Sequence, residues 1–142
     1  MKTPENWLLN FSVNRAMGEG VAAQLMGPCA AHPSVCRVSA QLLIGDWMQP
    51  DPWGTPGQAF PTIDLELASG LELYELLAKA SVQVVSPVVA GVDGETYSLE
   101  FTSGFNVVSF RWFCELPIEW QSLQAVARRM EELGKQCLAS VS

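Results

Sequence analysis

Apolar side chains recur at every second position in three stretches of the first half of the chain. Residues 7–13 and 37–44 alternate except at Leu8 and Leu43, and residues 63–67 form a shorter run of the same kind. A period of two is typical of strands with one face buried. Residues 15–26 stay ambiguous, because Gly18-Glu19-Gly20 fits either a hairpin turn or the approach to a short helix over residues 21–26.

The same alternation returns in the second half, between two turn signals. Asp93-Gly94 predicts a hairpin between residues 88–92 and 95–101, with Ala90 opposite Tyr97 and Val88 opposite Leu99. A second turn at residues 103–106 continues this meander. The pairs predicted across it are Phe101 with Val108, Leu99 with Phe110 and Tyr97 with Trp112 on one face, and Glu100 with Ser109 and Ser98 with Arg111 on the other.

Two helices are predicted from apolar stripes and end signals. Ser69-Gly70-Leu71-Glu72 fits a capping box before a helix near residues 70–80. Pro117 suits the first turn of a helix over 117–134, with Gly134 as its end or with a continuation through 136–138. The stripe of the second helix is Trp120, Leu123, Val126, Ala127, Met130 and Leu133.

These elements predict an α+β fold in a single domain of residues 1–142. The sheet is antiparallel, built from a meander over residues 88–113 and the N-terminal strands. The helices near 70–80 and 117–134 are expected to pack on one face of that sheet. The length of 142 residues is that of one ordinary domain, and it is enough to bury a substantial core.

A proline-rich stretch interrupts the pattern at residues 46–61. Four prolines, two glycines and two tryptophans exclude a helix or a central strand there. Loops of this length are typically functional or mobile, and aromatic side chains on loops are enriched at binding hot spots. We expect the loop to pack over the body, with Trp47 and Trp53 as candidates for contact with a partner.

Charge is concentrated in the middle of the chain. Residues 46–119 carry a net charge of −9 and the two flanking parts +1 each, for the total of −7. Such a chain repels phosphate backbones, which disfavours nucleic acid, and attracts a basic protein. The alternative interpretation of this charge is that an acidic surface simply keeps the protein soluble. The candidate partner-binding residues are Asp51, Trp53, Asp93, Glu95 and Glu100, expected on turns, the proline-rich loop and an outward hairpin face.

The chain offers no complete set of catalytic or metal-binding residues. Cys29, His32 and Cys36 have ligand-like spacing, but zinc needs a fourth ligand and only Cys114 is a plausible one. A Cys29–His32 nucleophile lacks an orienting group, and the carboxylates stand at caps and turns. We therefore predict no metal, no cofactor and no enzymatic activity. The absence of a signal segment and of a long apolar run predicts a cytoplasmic protein with reduced cysteines and no membrane contact.

Several short motifs follow one another in the C-terminal half. They are Asp93-Gly94-Glu95-Thr96-Tyr97-Ser98-Leu99, Gly104-Phe105-Asn106, Trp112, Pro117-Ile118-Glu119-Trp120 and a final helix. In this layout, over about residues 70–134, the chain resembles small bacterial immunity and inhibitor proteins. The resemblance implies a small cytoplasmic protein that neutralises a toxin by binding it, with no catalytic residues to carry over.

Three functions from different classes therefore stand side by side. The leading one is a non-catalytic immunity or antitoxin-like inhibitor of a basic toxin. The second is an acidic secretion chaperone or adaptor, expected to be a homodimer with exposed apolar grooves. The third is a small ligand-binding domain or enzyme, which needs a pocket that collects His32, cysteines, tyrosines or carboxylates. The sequence leaves the oligomeric state open.

Overall fold

The fold is one antiparallel sheet of six strands, with the helices packed against it. The structure is a computed structural model that describes residues 3–15, 18–44, 60–82 and 94–141. The strands are β1 (Trp7–Arg15), β2 (Glu19–Met26), β3 (Val35–Ile44), β4 (Thr62–Glu66), β5 (Glu95–Ser103) and β6 (Asn106–Phe113). The helices are α1 (Leu67–Ala78), a 3₁₀ helix (Ile118–Leu123) and α2 (Gln124–Ala139). Across the sheet the order is β4-β3-β2-β1-β5-β6.

The stretch that the sequence left ambiguous is a strand. Residues 19–26 form β2, which pairs with β1 on one side and with β3 on the other. Gly20 lies in this ladder, where a Cβ would collide with the carbonyl oxygen of Val13. The close approach of the two backbones requires glycine at this position.

β5 lies between β1 and β6, which corrects one predicted pairing. Tyr97 is opposite Val13 on one side and opposite Trp112 on the other. The predicted partners Val88 and Ala90 lie outside the described residues, and their pairing with β5 is wrong because both of its sides are occupied. A nine-residue ladder with β1 takes the place of the local five-residue hairpin arm that the Asp93-Gly94 turn suggested.

The β5–β6 hairpin has the predicted register. All five predicted pairs are present, from Phe101 with Val108 to Ser98 with Arg111. The turn is formed by Gly104 and Phe105, and Gly104 has a φ of 61°, in the left-handed region that glycine tolerates best.

The predicted start of the first helix is wrong, whereas the longer of the two ends considered for the second helix is confirmed. α1 begins at Leu67 directly after β4, with no side-chain cap, so Ser69 already lies inside the helix. Gly134 does not end α2, which continues to Ala139. Instead Gly134 is buried against β2, where a Cβ would lie 2.9 Å from a Val21 methyl carbon. The glycine therefore permits close packing of helix on sheet.

The core fills the space between the sheet and the two helices, as an α+β fold requires. Alternate residues of β1 are buried, from Trp7 to Val13, and share one core with Leu123 of the 3₁₀ helix and the α2 stripe from Val126 to Leu133. Both helices lie on this one face, which confirms the predicted architecture. None of the helices in the described part of the chain combines the length and apolar composition that a membrane span requires.

Candidate functional site

Two of the five predicted partner-binding residues can be located. Asp51, Trp53 and Asp93 lie outside the described residues. Glu95 and Glu100 are both on β5, five positions apart, and therefore point to opposite faces of the sheet. Glu95, expected at a turn, is the first residue of the strand. The structure does not bring these two carboxylates to a common surface.

Glu95 belongs to a polar network on the helix side of the sheet. Its carboxylate accepts a hydrogen bond from Arg15 Nε at 2.9 Å and another from the Tyr97 hydroxyl. Arg15 also reaches Glu131 of α2 at 3.4 Å, and Lys135 Nζ lies 2.7 Å from the same carboxylate oxygen. The network joins β1, β5 and α2, so the Glu95 carboxylate is engaged within the molecule.

The network moves the pKa values of Glu95 and Tyr97 away from neutral pH. The hydrogen bond from Tyr97 and the ion pair with Arg15 lower the pKa of Glu95. Burial and the hydrogen bond to Glu95 raise the pKa of Tyr97 to about 12. At neutral pH Glu95 is charged and Tyr97 is neutral, which suits a structural clamp and does not suit general acid–base chemistry.

The cysteine–histidine motif does not converge. Cys29 and His32 exchange backbone hydrogen bonds of 3.2 and 3.0 Å, which close a turn with an exposed histidine. Cys36 is buried on β3 against Gly70 of α1. Burial raises the pKa of Cys36 and of Cys137, which disfavours the thiolate that ligates metals. Within the described residues, no three His, Cys, Asp or Glu side chains come together as a metal-ligand group.

A cavity of about 300 Å³ opens between the end of α1 and the β5–β6 hairpin. We call it the apolar groove, and it is lined by Tyr74, Leu77, Ala78, Ala80, Val82, Leu99, Phe101, Val108, Phe110 and Leu123. Tyr74 alone among these carries a polar side-chain atom. Such a lining suits apolar groups and offers no convergent polar groups for chemistry.

Two sets of contacts join the elements that line the groove. Ser122 anchors the chain after α1, because its hydroxyl donates to the Ser81 carbonyl at 2.7 Å and accepts from the Ser81 amide at 3.1 Å. On the floor, Tyr74 meets Phe101 edge-on at 5.8 Å and Phe110 meets Trp120 at 5.5 Å. The groove is therefore built on fixed elements.

A second apolar feature surrounds β6. Five of the eight exposed large hydrophobic side chains in the described part of the chain cluster there. We call them the β6 patch: Phe105, Val107 (58% exposed), Val108, Phe113 (49%) and Ile118 (80%). Val107 and Phe113 lie on the outer face of the sheet and Val108 on the helix face, so the patch borders β6 from both sides. Isolated exposed apolar residues are ordinary on protein surfaces, whereas several along one edge strand favour contact with another chain.

The sequence reasoning missed both apolar features, although signals for the patch were present. Phe105 stands at the tip of a predicted turn, where a polar residue is usual. Val107 and Phe113 fall on the face that the alternation assigned to polar residues. The groove has no such signal, because it depends on where the end of α1 lies over the hairpin. No protein-family model and no curated protein matches this chain.

Proposed function

We propose that this protein is a non-catalytic binding protein that holds an apolar segment of a protein partner in the apolar groove. In its leading form it is a cytoplasmic inhibitor of the immunity type that neutralises a basic toxin. The observation that carries the proposal is the groove itself, about 300 Å³ in volume, with Tyr74 as its one polar-tipped lining residue. Binding sites are concave and mostly apolar, whereas catalysis needs convergent titratable groups.

Charge supports a basic partner. The chain has a net charge of −7, and α1, which forms one wall of the groove, exposes Glu72 and Glu75. Glu75 pairs with Lys79 at 3.2 Å, so the attraction comes from the net charge of the chain, which steers a basic protein toward it and accelerates association at low salt. Apolar contact within the groove then determines how long the complex lasts.

The groove also favours the second candidate, an acidic secretion chaperone or adaptor. A protein of that class holds an extended apolar segment of its client, so an open groove is the feature expected of it. The identity of the bound region separates the two candidates. An inhibitor binds the folded catalytic domain of a toxin, whereas a chaperone binds the isolated disordered N-terminal segment of its client.

A pair of matched variants tests the role of the groove. Ala78 lines the groove at an exposed position on α1, and Ala125 is an exposed position on α2 outside it. Ala78→Arg and Ala125→Arg add the same charge, so a difference between them reports the groove alone. Affinity purification from the native host identifies a partner, and binding to the purified partner then compares the two variants.

We expect Ala78→Arg to weaken that binding at least ~10-fold, because a buried charge displaces an apolar side chain. The affinity of Ala125→Arg for the partner should stay close to that of the wild-type protein. Equal affinities of the two variants for the partner would contradict the groove as the binding site. Turnover of a small molecule by the purified protein would contradict the non-catalytic assignment.

A further inference from the structure

The outer edge of β6 presents backbone groups at every second residue. The Cys114 amide donates to the Glu95 carbonyl at 2.7 Å, at the end of the β5–β6 ladder. Because such bonds recur at every second residue of an antiparallel pair, residues 106, 108, 110 and 112 bond toward β5. The amides and carbonyls of residues 107, 109, 111 and 113 therefore point outward. No strand lies beyond them within the described residues.

We propose that β6 pairs antiparallel with β6 of a second copy of this chain, around a two-fold axis at Phe110. The two six-stranded sheets then form one continuous sheet. In this register Phe110 faces its own counterpart, and the groups that point outward bond to each other. The remaining pairs across the axis are Val107 with Phe113, Ser109 with Arg111, and Val108 with Trp112, each occurring twice.

The side chains select this register over its neighbours. With the axis at Phe110, apolar side chains face apolar ones and Arg111 faces a serine. Moving the axis to Arg111 sets two guanidinium groups directly opposite each other, which is destabilising. Moving the axis to Ser109 sets Val107 against Arg111 and leaves Phe113 beyond the ladder.

Charge complementarity supports the same arrangement. On the outer face, Ser109 donates a hydrogen bond to Glu100 at 2.9 Å within one chain. In the dimer, Arg111 of one copy stands beside Ser109 of the other, two strands away from that copy's Glu100. Two strand spacings amount to about 10 Å between Cα atoms, a distance that an arginine and a glutamate bridge. Symmetry provides this pair twice.

The apolar surface of the patch continues past the ladder. Phe105, at the hairpin tip, extends toward the segment that follows β6 in the other copy, which carries the exposed Ile118. Val108 and Phe110 line the apolar groove as well, so the two grooves of the dimer lie on either side of the axis. This inference does not depend on the proposed function, because it needs no partner other than the chain itself.

Sedimentation equilibrium over a concentration series tests the dimer with the full chain. Phe113→Lys sets a charge against Val107 at two places in the interface, and Leu76→Lys is the matched control on α1, at an apolar residue of similar exposure. We expect a dimeric wild-type protein, a dissociation constant at least ~100-fold higher for Phe113→Lys, and a change below ~3-fold for the control. A monomeric wild-type protein, or equal effects of both variants, would overturn the proposal.

Disulfide trapping tests the register, in a Cys29→Ser, Cys114→Ser background. Phe110→Cys should form a covalent dimer, because Cα atoms in a non-hydrogen-bonded antiparallel pair are about 4.5 Å apart, within disulfide range. Ser109→Cys should form no covalent dimer, because position 109 faces position 111 of the other copy and the two introduced cysteines are two positions apart along the strands. A cross-link at position 109 and none at 110 would overturn the proposed register.

A mixture of two exposed variants keeps the test valid if Phe110→Cys folds poorly. Val107→Cys and Phe113→Cys should cross-link when mixed, and neither should cross-link alone, because each faces only the other. Both positions are exposed, so folding is little affected. Failure of the mixture to cross-link, with a dimer present in sedimentation, would show that the copies meet elsewhere and overturn the proposal.

Discussion

The two edge strands of the sheet, β4 and β6, differ in length and in the side chains that they expose. β4 is five residues long, follows Pro61, and exposes Asp64 and Glu66. β6 is eight residues long, contains Arg111 as its one charged residue, and has exposed apolar side chains on both faces. Short, charged edge strands resist pairing with other chains, whereas long apolar ones invite it.

This asymmetry limits how far the sheet can grow. A symmetric contact of β6 with β6 leaves only β4 at each end of the joined sheet, so the assembly closes at two copies. A contact of β6 with β4 would instead repeat without end. The Arg37–Asp64 ion pair at 3.6 Å keeps charge on the β4 edge, where an incoming strand would have to desolvate it.

The largest effect is expected where β6 is anchored to the core. Trp112 is 5% exposed and stacks on Tyr97 at 5.4 Å with an interplanar angle of 4°. Trp112→Ala should lower the free energy of unfolding by about 3–5 kcal/mol, because it leaves a large cavity. Its neighbour Phe113 points to the other face, and Phe113→Ala should cost less than ~1 kcal/mol of folding stability.

Denaturant titration at one fixed low protein concentration compares these two variants without a contribution from assembly. If the unfolding midpoint of Trp112→Ala stays near the wild-type value, β6 is not an anchored strand. The contrast with β4 would then lose its physical basis.

The elements that the sequence predicted correctly are those governed by local alternation. The β5–β6 register and the α2 stripe follow from side chains that must share one buried face, and the structure has both. The pairing of β5 with β1 could not be predicted in the same way, because the Asp93-Gly94 turn signal is local whereas the nine-residue ladder joins distant parts of the chain.

The candidate sites were harder to predict for a related reason. Glu95 looks like an exposed turn carboxylate in sequence, and only the fold brings Arg15 and Tyr97 to it. The apolar groove likewise depends on the packing of α1 over the hairpin, which no period in the sequence encodes. The exposed Val107 and Phe113 were visible as departures from alternation, and departures of this kind mark functional positions.

The next effect in size is a pH dependence of the anchor beneath β6. The pKa of Tyr97 is raised from its ordinary value of 10 to about 12 in the folded protein. A group with a raised folded pKa contributes stability that is complete below the unfolded pKa and is lost as pH rises through the folded one. Stability should therefore fall between pH 10 and about 12, by at most ~2 kcal/mol after screening by solvent.

Tyr97→Phe separates this contribution from general alkaline unfolding. The variant keeps the ring that stacks on Trp112 and removes the titrating hydroxyl. Its unfolding midpoint should fall less than that of the wild-type protein between neutral pH and pH of about 11. A parallel fall in both proteins would show that titration of the Tyr97 hydroxyl does not cause the loss of stability at high pH.

Removing charge from β4 should open the second edge of the sheet. Asp64→Thr combined with Glu66→Thr replaces both exposed carboxylates with a residue that favours strands. We expect species larger than a dimer to form in light scattering as concentration rises, with little change in folding stability because exposed ion pairs contribute less than ~1 kcal/mol. Adding Phe113→Lys should abolish the species larger than a dimer, because an assembly of more than two copies needs pairing at both the β4 and the β6 edge.

The smallest effect concerns the charges on the outer face of the proposed dimer. Arg111→Glu sets a carboxylate against Glu100 of the other copy, and Glu100→Arg sets two cations together. Each should raise the dissociation constant about 3- to 30-fold, because exposed charge pairs are weak but occur twice in a symmetric interface. The double variant restores opposite charges, and its dissociation constant should return close to the wild-type value. Additive effects of the two single changes would not produce that recovery.

Higher salt should reduce all three differences in the dissociation constant. If the double variant is as weak as the two single changes combined, Arg111 and Glu100 do not meet across the axis. The preference of β6 for a second copy would then rest on its apolar pairs alone.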